Sequence, residues 1–303
     1  MSTRAWILFA AVSTLWGIPY LLIKVVVDDG GAPVDLAWVR VVLGAAALLP
    51  LAWRAGILGT VRGRLRWLAV FAVVEIAIPF PLLAVAEQHV SSSVAAIVIA
   101  AAPLFVALLA LRFDASERVS RRRLVGLSIG LLGVIALVGA NFGGRSDELL
   151  GTAAVLCVAF CYAVGPMVLK RHLSDLDPRA SIGVSLGLAV VLLTPVVAFD
   201  PPTDLPSGTA LAALLGLGLL CTAAALALYG ALVAEVGAGR ALVVTYVNPL
   251  VAVALGMAIL GERPGLGAGA GLVLILGGSW FATGGRAQAM DPGTRSVPAR
   301  DPV

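Results

Sequence analysis

Long apolar runs separated by short polar breaks constrain the fold of this chain more than any other feature. A bilayer core about 30 Å thick requires about 20 mostly apolar residues in each helix that crosses it. Of the 303 residues, 60% are hydrophobic and only 13% are charged, whereas soluble domains carry roughly 25% charged residues. We therefore predict an all-α integral membrane protein with ten transmembrane helices, with nine or eleven as the alternatives. The predicted spans are residues 5–26, 34–53, 67–87, 91–111, 123–140, 150–169, 180–199, 209–229, 239–260 and 265–283.

The second half of the chain repeats the first half at a nearly constant offset. A shift of 146 residues aligns WGIPYLLIK (16–24) with YAVGPMVLK (162–170) and places Pro103 on Pro249. The chain is therefore predicted to contain two five-helix units in tandem. Because five is odd, the second unit enters the membrane from the opposite side, so the units are predicted to be inverted repeats. The predicted boundaries are 1–140 for the first unit, 141–284 for the second and 285–303 for a disordered cytoplasmic tail.

The loop charges predict the orientation. With the N-terminus inside, 17 of the 21 basic residues fall in loops or chain ends on the inner side, and the outer loops hold only Arg145 and Arg263. Cytoplasmic loops collect Lys and Arg. We therefore predict a multi-pass protein of the inner (plasma) membrane with both termini in the cytoplasm. The net charge of +4 follows from this topology, so no nucleic-acid partner is predicted.

The residues that usually build metal or redox sites are few and scattered. Cys157, Cys161 and Cys221 all fall within predicted spans, away from oxidising loops, while His89 and His172 lie far apart at loop edges. This distribution argues against a disulfide framework or a metal cluster. The sequence also lacks the G-x-x-x-x-G-K-S/T loop that holds nucleotide phosphates. No metal and no cofactor are predicted.

The third span carries an acid and two prolines in FAVVEIAIPFPLLAV. Glu75 lies near the midplane, where a carboxylate is costly unless it faces the bundle or a wet cavity. We predict that Glu75 binds a substrate amine or couples transport to protons, and the alternative is a protonated or hydrogen-bonded packing residue. Pro79 and Pro81 are predicted to bend the helix beyond Glu75. Pro103 and Pro249, which share a register in the two units, are predicted with them to form hinges or gates, and ordinary kinking for packing is the alternative.

Aromatic and polar side chains at depth are further candidates for substrate contact. Trp16 and Tyr20 share one face of the first span and could form an aromatic wall for a cationic or amphipathic solute. Thr245 and Asn248, three residues apart on the ninth span, also share a face. For these two residues the alternative is interhelical hydrogen bonding, worth about 0.6 kcal/mol. The predicted substrate-binding residues are Trp16, Tyr20, Glu75, Tyr162, Thr222, Thr245 and Asn248.

Several of these features together resemble a known family. The ten spans in two units, the WG of the first span, PLFVALLAL, NPLVAVALGMAILGERPGLGAGAG and Arg40 in the second span resemble the EamA-type proteins of the drug/metabolite transporter superfamily over residues 6–283. The resemblance implies a secondary transporter, often an exporter of amino acids, other metabolites or drugs. It also implies a central cavity between the units, lined by spans 1, 3, 4, 6, 8 and 9, and a role for Arg40 in maintaining the fold. From its position, Arg40 could also reach the membrane surface or an acidic loop.

The predicted function is therefore secondary active transport, as export of small organic metabolites such as amino acids or amphipathic drugs, by alternating access around a midplane cavity. Two alternatives remain, a membrane-embedded enzyme and a channel-like facilitator with the same fold. The arginine-rich inner loops offer no recognised catalytic spacing of acids, so an enzyme is not the predicted class. The predicted partners are a small-molecule substrate, the lipid bilayer and protons as the hypothetical coupling ion. The glycine-rich stretches GLSIGLLG and GLGAGAG favour helix packing within the chain, with a homodimer as the alternative.

Overall fold

The computed structural model describes residues 2–113, 121–141, 146–199, 201, 205–236, 241 and 243–282, and the regular elements in these ranges are helices. The predicted tail at 285–303 lies outside the described residues. In the first half the helices are α1 (Thr3–Gly17), α2 (Pro19–Asp28), α3 (Pro33–Arg54), a 3₁₀ helix (Leu58–Arg64), α4 (Leu65–Ala72), a π-helical segment π1 (Val73–Ala77), α5 (Pro79–Glu87), α6 (Ser92–Ile99), α7 (Ala102–Phe113) and α8 (Arg121–Asn141). In the second half they are α9 (Ser146–His172), α10 (Pro178–Phe199), α11 (Gly208–Leu215), a π-helical segment π2 (Gly216–Ala224), α12 (Ala225–Val236), α13 (Val244–Ile259) and α14 (Leu266–Ala282).

The helices have the length and the surface of a multi-pass membrane protein. Seven helical stretches among the described residues are long and apolar enough to cross a membrane, and they coincide with predicted spans one to four and six to eight. Three shorter apolar helices, Leu124–Leu137, Val244–Ile259 and Leu266–Phe281, lie within predicted spans five, nine and ten. Large apolar side chains such as Val191 and Val273 are 67% and 71% exposed on the outside, which suits contact with lipid. The count of ten spans stays a prediction.

Prolines lie at or beside breaks in three of these helical stretches, those of predicted spans one, three and four. The first stretch changes direction at Ile18, because Pro19 cannot donate a backbone hydrogen bond to the preceding turn. Span four breaks between α6 and α7, just before Pro103, and span three resumes as α5 at Pro79. Pro249, in contrast, lies inside the uninterrupted helix α13. The repeated prolines therefore occupy different local structures, one beside a break and one within a continuous helix.

Spans three and eight each contain a π-helical segment at the same place in the repeat. In π1 the backbone N–H of Ile78 donates to the oxygen of Val73, five residues earlier, at 3.0 Å. Shifting π1 by 146 residues places it on 219–223, inside π2. A π-helical turn is rare, widens the helix and often occurs at functional sites. The two segments therefore mark matched positions at which both halves depart from regular helix.

Helices α8 and α14 pack closely through glycines. A methyl group on Gly133 would lie 2.8 Å from the backbone nitrogen of Ile275, and one on Gly278 would lie 2.6 Å from the oxygen of Gly126. Side chains at these positions would force the helices apart. The packing within the chain that the sequence favours is therefore observed, and these faces are occupied by each other. Homodimer formation stays a prediction.

Helices α3 and α10, which lie in different halves, pack along each other. Ala45 and Leu48 of α3 and Leu186 and Leu193 of α10 belong to one buried cluster. A methyl group on Gly44 would lie 3.2 Å from Leu186 Cδ1 and 3.1 Å from Cγ2 of a threonine in π2. This close approach brings the face of α3 that carries Arg40, one turn before Gly44, against π2.

A carboxylate from the second half caps a helix of the first half. The Glu262 carboxylate accepts hydrogen bonds from the backbone N–H groups of Ser92 at 2.8 Å and Ser93 at 3.0 Å, and from the Ser93 hydroxyl. N–H groups that open a helix have no acceptor within that helix. Gly256 leaves room for this contact, since a methyl group there would lie 2.7 Å from Ser93 Oγ. Glu262 therefore ties the two halves together at the end of the bundle that contains Lys24.

Candidate functional site

The guanidinium of Arg40 lies buried between the two halves. Its side chain is only 7% exposed, its Nε donates to Thr222 Oγ1 at 3.0 Å, and its Cζ lies 3.9 Å from the centroid of the Phe80 ring. The Thr222 hydroxyl in turn donates to the oxygen of Leu217, five residues earlier in π2, at 2.8 Å. Arg40 therefore does not reach the membrane surface, and the π-helical segment supplies the acceptor that holds it.

Two tyrosines complete the surroundings of Arg40. Tyr20 on α2 is 8% exposed, Tyr162 on α9 is half-buried, and both lie within electrostatic range of the guanidinium. Cys221, next to Thr222 in π2, is also within this range. Three predicted substrate-binding residues, Tyr20, Tyr162 and Thr222, thus converge on a residue for which the family resemblance implies fold maintenance. We call Arg40, Tyr20, Tyr162, Thr222 and Phe80 the Arg40 cluster.

Arg40 has no ion-pair partner within 4.0 Å in the part of the chain that the structure describes. The Glu87 carboxylate at the end of α5 lies within electrostatic range of Arg40 and of Tyr20 but does not contact the guanidinium. Glu87 is 0% exposed, and among the described residues neither of its carboxylate oxygens has a hydrogen-bond partner. Lys24 Nζ donates to the backbone oxygen of Glu87 at 2.9 Å and forms an ion pair with Asp28 at 2.9 Å. A buried cation and a buried carboxylate therefore lie near each other without being paired within the described ranges.

Glu75 lies in π1, apart from Arg40. Its carboxyl group packs directly on the Cα of Gly165 in α9, so that any side chain at 165 would overlap it. Oε2 of Glu75 is buried and has no hydrogen-bond partner among the residues that are described. Electrostatic interactions connect Glu75 with Tyr162 and Cys161 but not with Arg40. The acid is therefore not the counterion of Arg40, and Tyr162 lies within electrostatic range of both.

The other predicted substrate-binding residues lie where α1, α12 and α13 meet. The Trp16 ring packs against the Tyr229 ring, with 4.8 Å between centroids. With its amide oriented to satisfy its neighbours, Asn248 donates to the oxygens of Val244 at 2.7 Å and Ser13 at 3.3 Å. Thr245, one turn earlier on α13, is half-buried. The contacts of Trp16 with Tyr229 and of Asn248 with Ser13 join helices of different halves, and they include no residue of the Arg40 cluster.

Two cavities lie away from these residues. A polar cavity of about 320 Å³ opens at the end of the bundle that contains Lys24, and an apolar one of about 410 Å³ lies between α6, α13 and α14. Neither of these two cavities is lined by a predicted substrate-binding residue. Within the described ranges, no group of three or more His, Cys, Asp or Glu side chains is placed to hold a metal ion. The polar cavity is lined by Lys24, Asp28, Gln88, His89, Val90, Ser91, Leu260 and Glu262.

Comparison with known proteins finds the same family twice along the chain. The model of the "EamA-like transporter family" matches residues 3–139 and again residues 149–284. The "Uncharacterized inner membrane transporter YedA" of Escherichia coli (strain K12) is 32% identical over 258 residues, which cover 83% of this chain and 81% of that protein.

More distant relatives have names that include a cargo. The "Probable amino-acid metabolite efflux pump" of Salmonella typhimurium is 26% identical over 297 residues, covering 93% of this chain and 95% of that protein. The "Probable terminal-alkyne amino-acid exporter" of Streptantibioticus cattleyicolor is 28% identical over 303 residues, covering 97% and 99%. One solved structure, at 19% identity and a TM-score of 0.65, covers 93% of this chain and 98% of its own, which shows the fold alone.

Proposed function

The chain belongs to the EamA-like transporter family and is a membrane transporter, and we propose that it is a secondary active exporter of small organic metabolites of the amino-acid class. The names of two relatives, an efflux pump for amino-acid metabolites and an exporter of terminal-alkyne amino acids, support this class. Amphipathic drugs are a second class of solute that the aromatic residues Tyr20 and Tyr162 could accept. In this proposal the chain acts on no covalent bond.

Alternating access between two inverted five-helix units is the proposed mechanism. The units are residues 1–140 and 141–284, with both termini and the tail at 285–303 in the cytoplasm. Two observations support this arrangement: the family model matches twice with an offset of 146 residues, and the π-helical segments π1 and π2 have the same offset. Inverted repeats of this kind place their substrate site near the midplane, where irregular helices meet.

The observation that carries the proposal is the acid in π1. Glu75 lies in mid-span, its Oε2 has no hydrogen-bond partner within the described part of the chain, and it adjoins Tyr162 of the other half. A carboxyl group at this depth with one oxygen buried and unpartnered is costly to retain for packing alone. We propose that Glu75 takes up and releases the coupling proton, and that Pro79, Pro81, Pro103 and Pro249 act as hinges or gates around it.

The experiment is transport of amino acids by the purified protein in liposomes with an imposed pH gradient. Wild-type protein is expected to accumulate substrate against its gradient, whereas Glu75→Gln is expected to lose the dependence on pH but to retain counterflow exchange. Glu235→Gln, a carboxylate at the end of α12 beside Arg4, is the matched control and should behave like the wild type. Full pH dependence in Glu75→Gln would refute the coupling role. Flux that neither saturates nor counterflows would indicate a facilitator instead.

A further inference from the structure

We propose that Arg40 and Glu87 bind, respectively, the carboxylate and the ammonium of a zwitterionic substrate. This inference rests on the proposed function and names the two charges that the substrate must carry. Its basis is that a buried cation and a buried acid lie within electrostatic range of each other while neither forms an ion pair with a described residue.

The surroundings of Arg40 leave most of its hydrogen-bonding capacity unused. The guanidinium has five N–H donors, and the one described bond uses Nε, which donates to Thr222 at 3.0 Å. The Phe80 ring covers one face of the plane at 3.9 Å. The remaining donors lie on the edge that a carboxylate engages through two parallel hydrogen bonds. Since no carboxylate lies within 4.0 Å among the described residues, this edge is available for an anionic group.

The surroundings of Glu87 are complementary. The residue is fully buried, and neither carboxylate oxygen accepts a hydrogen bond from a described residue, although Lys24 Nζ lies close enough to bond to its backbone oxygen at 2.9 Å. The Lys24 ammonium forms its ion pair with Asp28 instead, with an N–O distance of 2.9 Å. Glu87 therefore has two acceptor oxygens for the three N–H groups of an ammonium ion.

The charged groups around Glu87 do not satisfy it internally. Among the described residues, Lys24, Asp28, Glu262 and Arg40 are the charged groups within its range, and Tyr20 is a neutral one. Lys24 is paired with Asp28, and Glu262 is used to cap α6. An ammonium group from the substrate would give Glu87 a partner without disturbing these bonds.

A polar cavity lies next to the residues that flank Glu87. The polar cavity of about 320 Å³ is lined by Lys24 and by Gln88, the residue after Glu87. Both oxygens of Glu87 are closed off from this cavity in the described conformation. Entry or exit at this end therefore requires α5 and α2 to separate, as alternating access demands. A zwitterion would then give both buried groups a partner in one binding event, whereas a solute with one charged group would leave one of them without a partner.

The test compares three forms of the same solute. Leucine, phenylalanine and threonine would each be offered as the zwitterion, the amide, which lacks the carboxylate, and the N-acetyl form, which lacks the ammonium. Binding to purified protein would be measured by ligand-induced thermal shift and by transport in liposomes. Wild-type protein should prefer the zwitterion at least tenfold over both other forms, because each unpaired buried charge costs roughly 10- to 100-fold in affinity.

The variants should separate the two charges. Arg40→Gln is expected to lose the preference over the amide while keeping the preference over the N-acetyl form, and Glu87→Gln is expected to do the reverse. Glu235→Gln is the control and should keep both. If the melting temperature shows that Arg40→Gln fails to fold, Arg40→Lys serves instead. This second variant retains the positive charge but not the two-pronged geometry of the guanidinium, so an intermediate preference is expected.

Three results would overturn the inference. Equal weakening of all three forms by either variant would assign the residue to fold maintenance. A wild type that transports amides as well as zwitterions would refute the zwitterion site while leaving the transporter function intact. A wild type that binds and moves none of the nine compounds would refute the proposed amino-acid class, and the inference would fail with it.

Discussion

The segments π1 and π2 share a backbone irregularity but differ in chemistry. In π2 the Thr222 hydroxyl bonds to the oxygen of Leu217 and accepts a hydrogen bond from Arg40, so the polar groups satisfy one another. In π1 the corresponding depth holds Glu75, whose Oε2 has no partner among the described residues and whose carboxyl group rests on Gly165. The same widened turn therefore holds a hydroxyl group with both a donor and an acceptor partner in one half, and an acid with an unpartnered oxygen in the other.

This difference separates a backbone feature that both halves share from the side chains that only one half has. Both halves contain a widened turn, and the two turns lie 146 residues apart, the offset of the sequence repeat. The side chains placed on the turn are not repeated, and they are what gives each side its chemistry. An unsatisfied buried group has no structural benefit to explain it, so functional substitutions should be sought first at π1.

The largest expected effect comes from filling the space that Glu75 occupies. Gly165→Ala places a methyl group on the carboxyl of Glu75 and should destabilise the protein by about 1–3 kcal/mol, as overpacking of a tight contact does. The double variant Gly165→Ala, Glu75→Ala should recover most of this loss, because the methyl group then meets no carboxyl. Unfolding in detergent, followed by circular dichroism during a thermal scan, measures both.

Gly277→Ala is the matched control for this cycle. Gly277 lies on α14, and a methyl group there meets no described atom within 4 Å, so the substitution should be neutral or should stabilise the helix by up to about 1 kcal/mol. If Gly165→Ala changed the stability no more than Gly277→Ala does, the close contact described between π1 and α9 would be contradicted.

The second prediction concerns the hydrogen bond between Arg40 and Thr222, the residue in π2 that accepts it. Thr222→Val keeps the shape of the side chain but removes the acceptor for Arg40 Nε, leaving a buried donor without a partner, so a loss of about 1–3 kcal/mol is expected. Thr222→Ser retains the hydroxyl and should lose less than half as much. Chemical unfolding of the three proteins in the same detergent distinguishes them. A larger loss in the serine variant than in the valine variant would mean that the methyl group of Thr222, not its hydroxyl, matters in π2.

The smallest expected effect comes from the ion pair between Asp177 and Arg179 at the protein surface. It is a reference for the buried polar contacts in π1 and π2. In the first turn of α10, the Arg179 side chain donates hydrogen bonds at 2.9 Å and 3.1 Å to Asp177, the residue before the helix, and holds the pKa of that carboxyl below its usual value. Because the pKa is lower in the folded state, the stabilisation is present above about pH 4, the ordinary Asp value, and is lost as the pH falls through the folded pKa.

Asp177→Asn should therefore lower the unfolding free energy by less than about 1 kcal/mol at neutral pH. The difference from the wild type should shrink in acid, which thermal scans at about pH 7 and about pH 3, either side of the ordinary Asp pKa, would test. A difference that grew in acid would contradict the assigned direction of the pKa.

Much of the fold could be predicted from the sequence, because the bilayer demands a minimum length of apolar helix. Predicted spans one to four and six to eight coincide with helices of that length. The sequence also indicates the break at Pro103, since proline removes a backbone donor whatever its surroundings. It could not indicate that Pro249 stays within an intact helix, because that depends on how neighbouring helices pack.

The candidate site could be predicted only in part. Residue type and depth point to Tyr20, Tyr162 and Thr222, but the residue around which they gather is Arg40. For Arg40 the sequence suggests only a role in the fold or a position near the membrane surface. Glu87 stands at the end of a predicted span, and its position along the chain carries no sign that its carboxylate is buried without a partner among the described residues.

Two further features leave no distinguishing signal in the sequence. The π-helical segments cannot be distinguished from regular helix in the sequence. One extra residue in a turn rotates the side chains that follow, but in a span that is almost entirely apolar there is no polar face to reveal the rotation. Asn248 satisfies neighbouring backbone oxygens, a role that sequence spacing cannot separate from substrate contact. The π-helical segments and the hydrogen bonds of Asn248 both depend on how the helices pack in three dimensions. Local sequence patterns do not show this packing.

The cap that Glu262 provides for α6 has a consequence for how the two halves can diverge. A helix of the first half begins on a carboxylate from the second, and the space for that carboxylate is left by Gly256. Natural variation at positions 92, 93, 256 and 262 should therefore be correlated, with a loss of the acid accompanied by a new capping residue at the start of α6. A change in either half at this contact would therefore require a matching change in the other half.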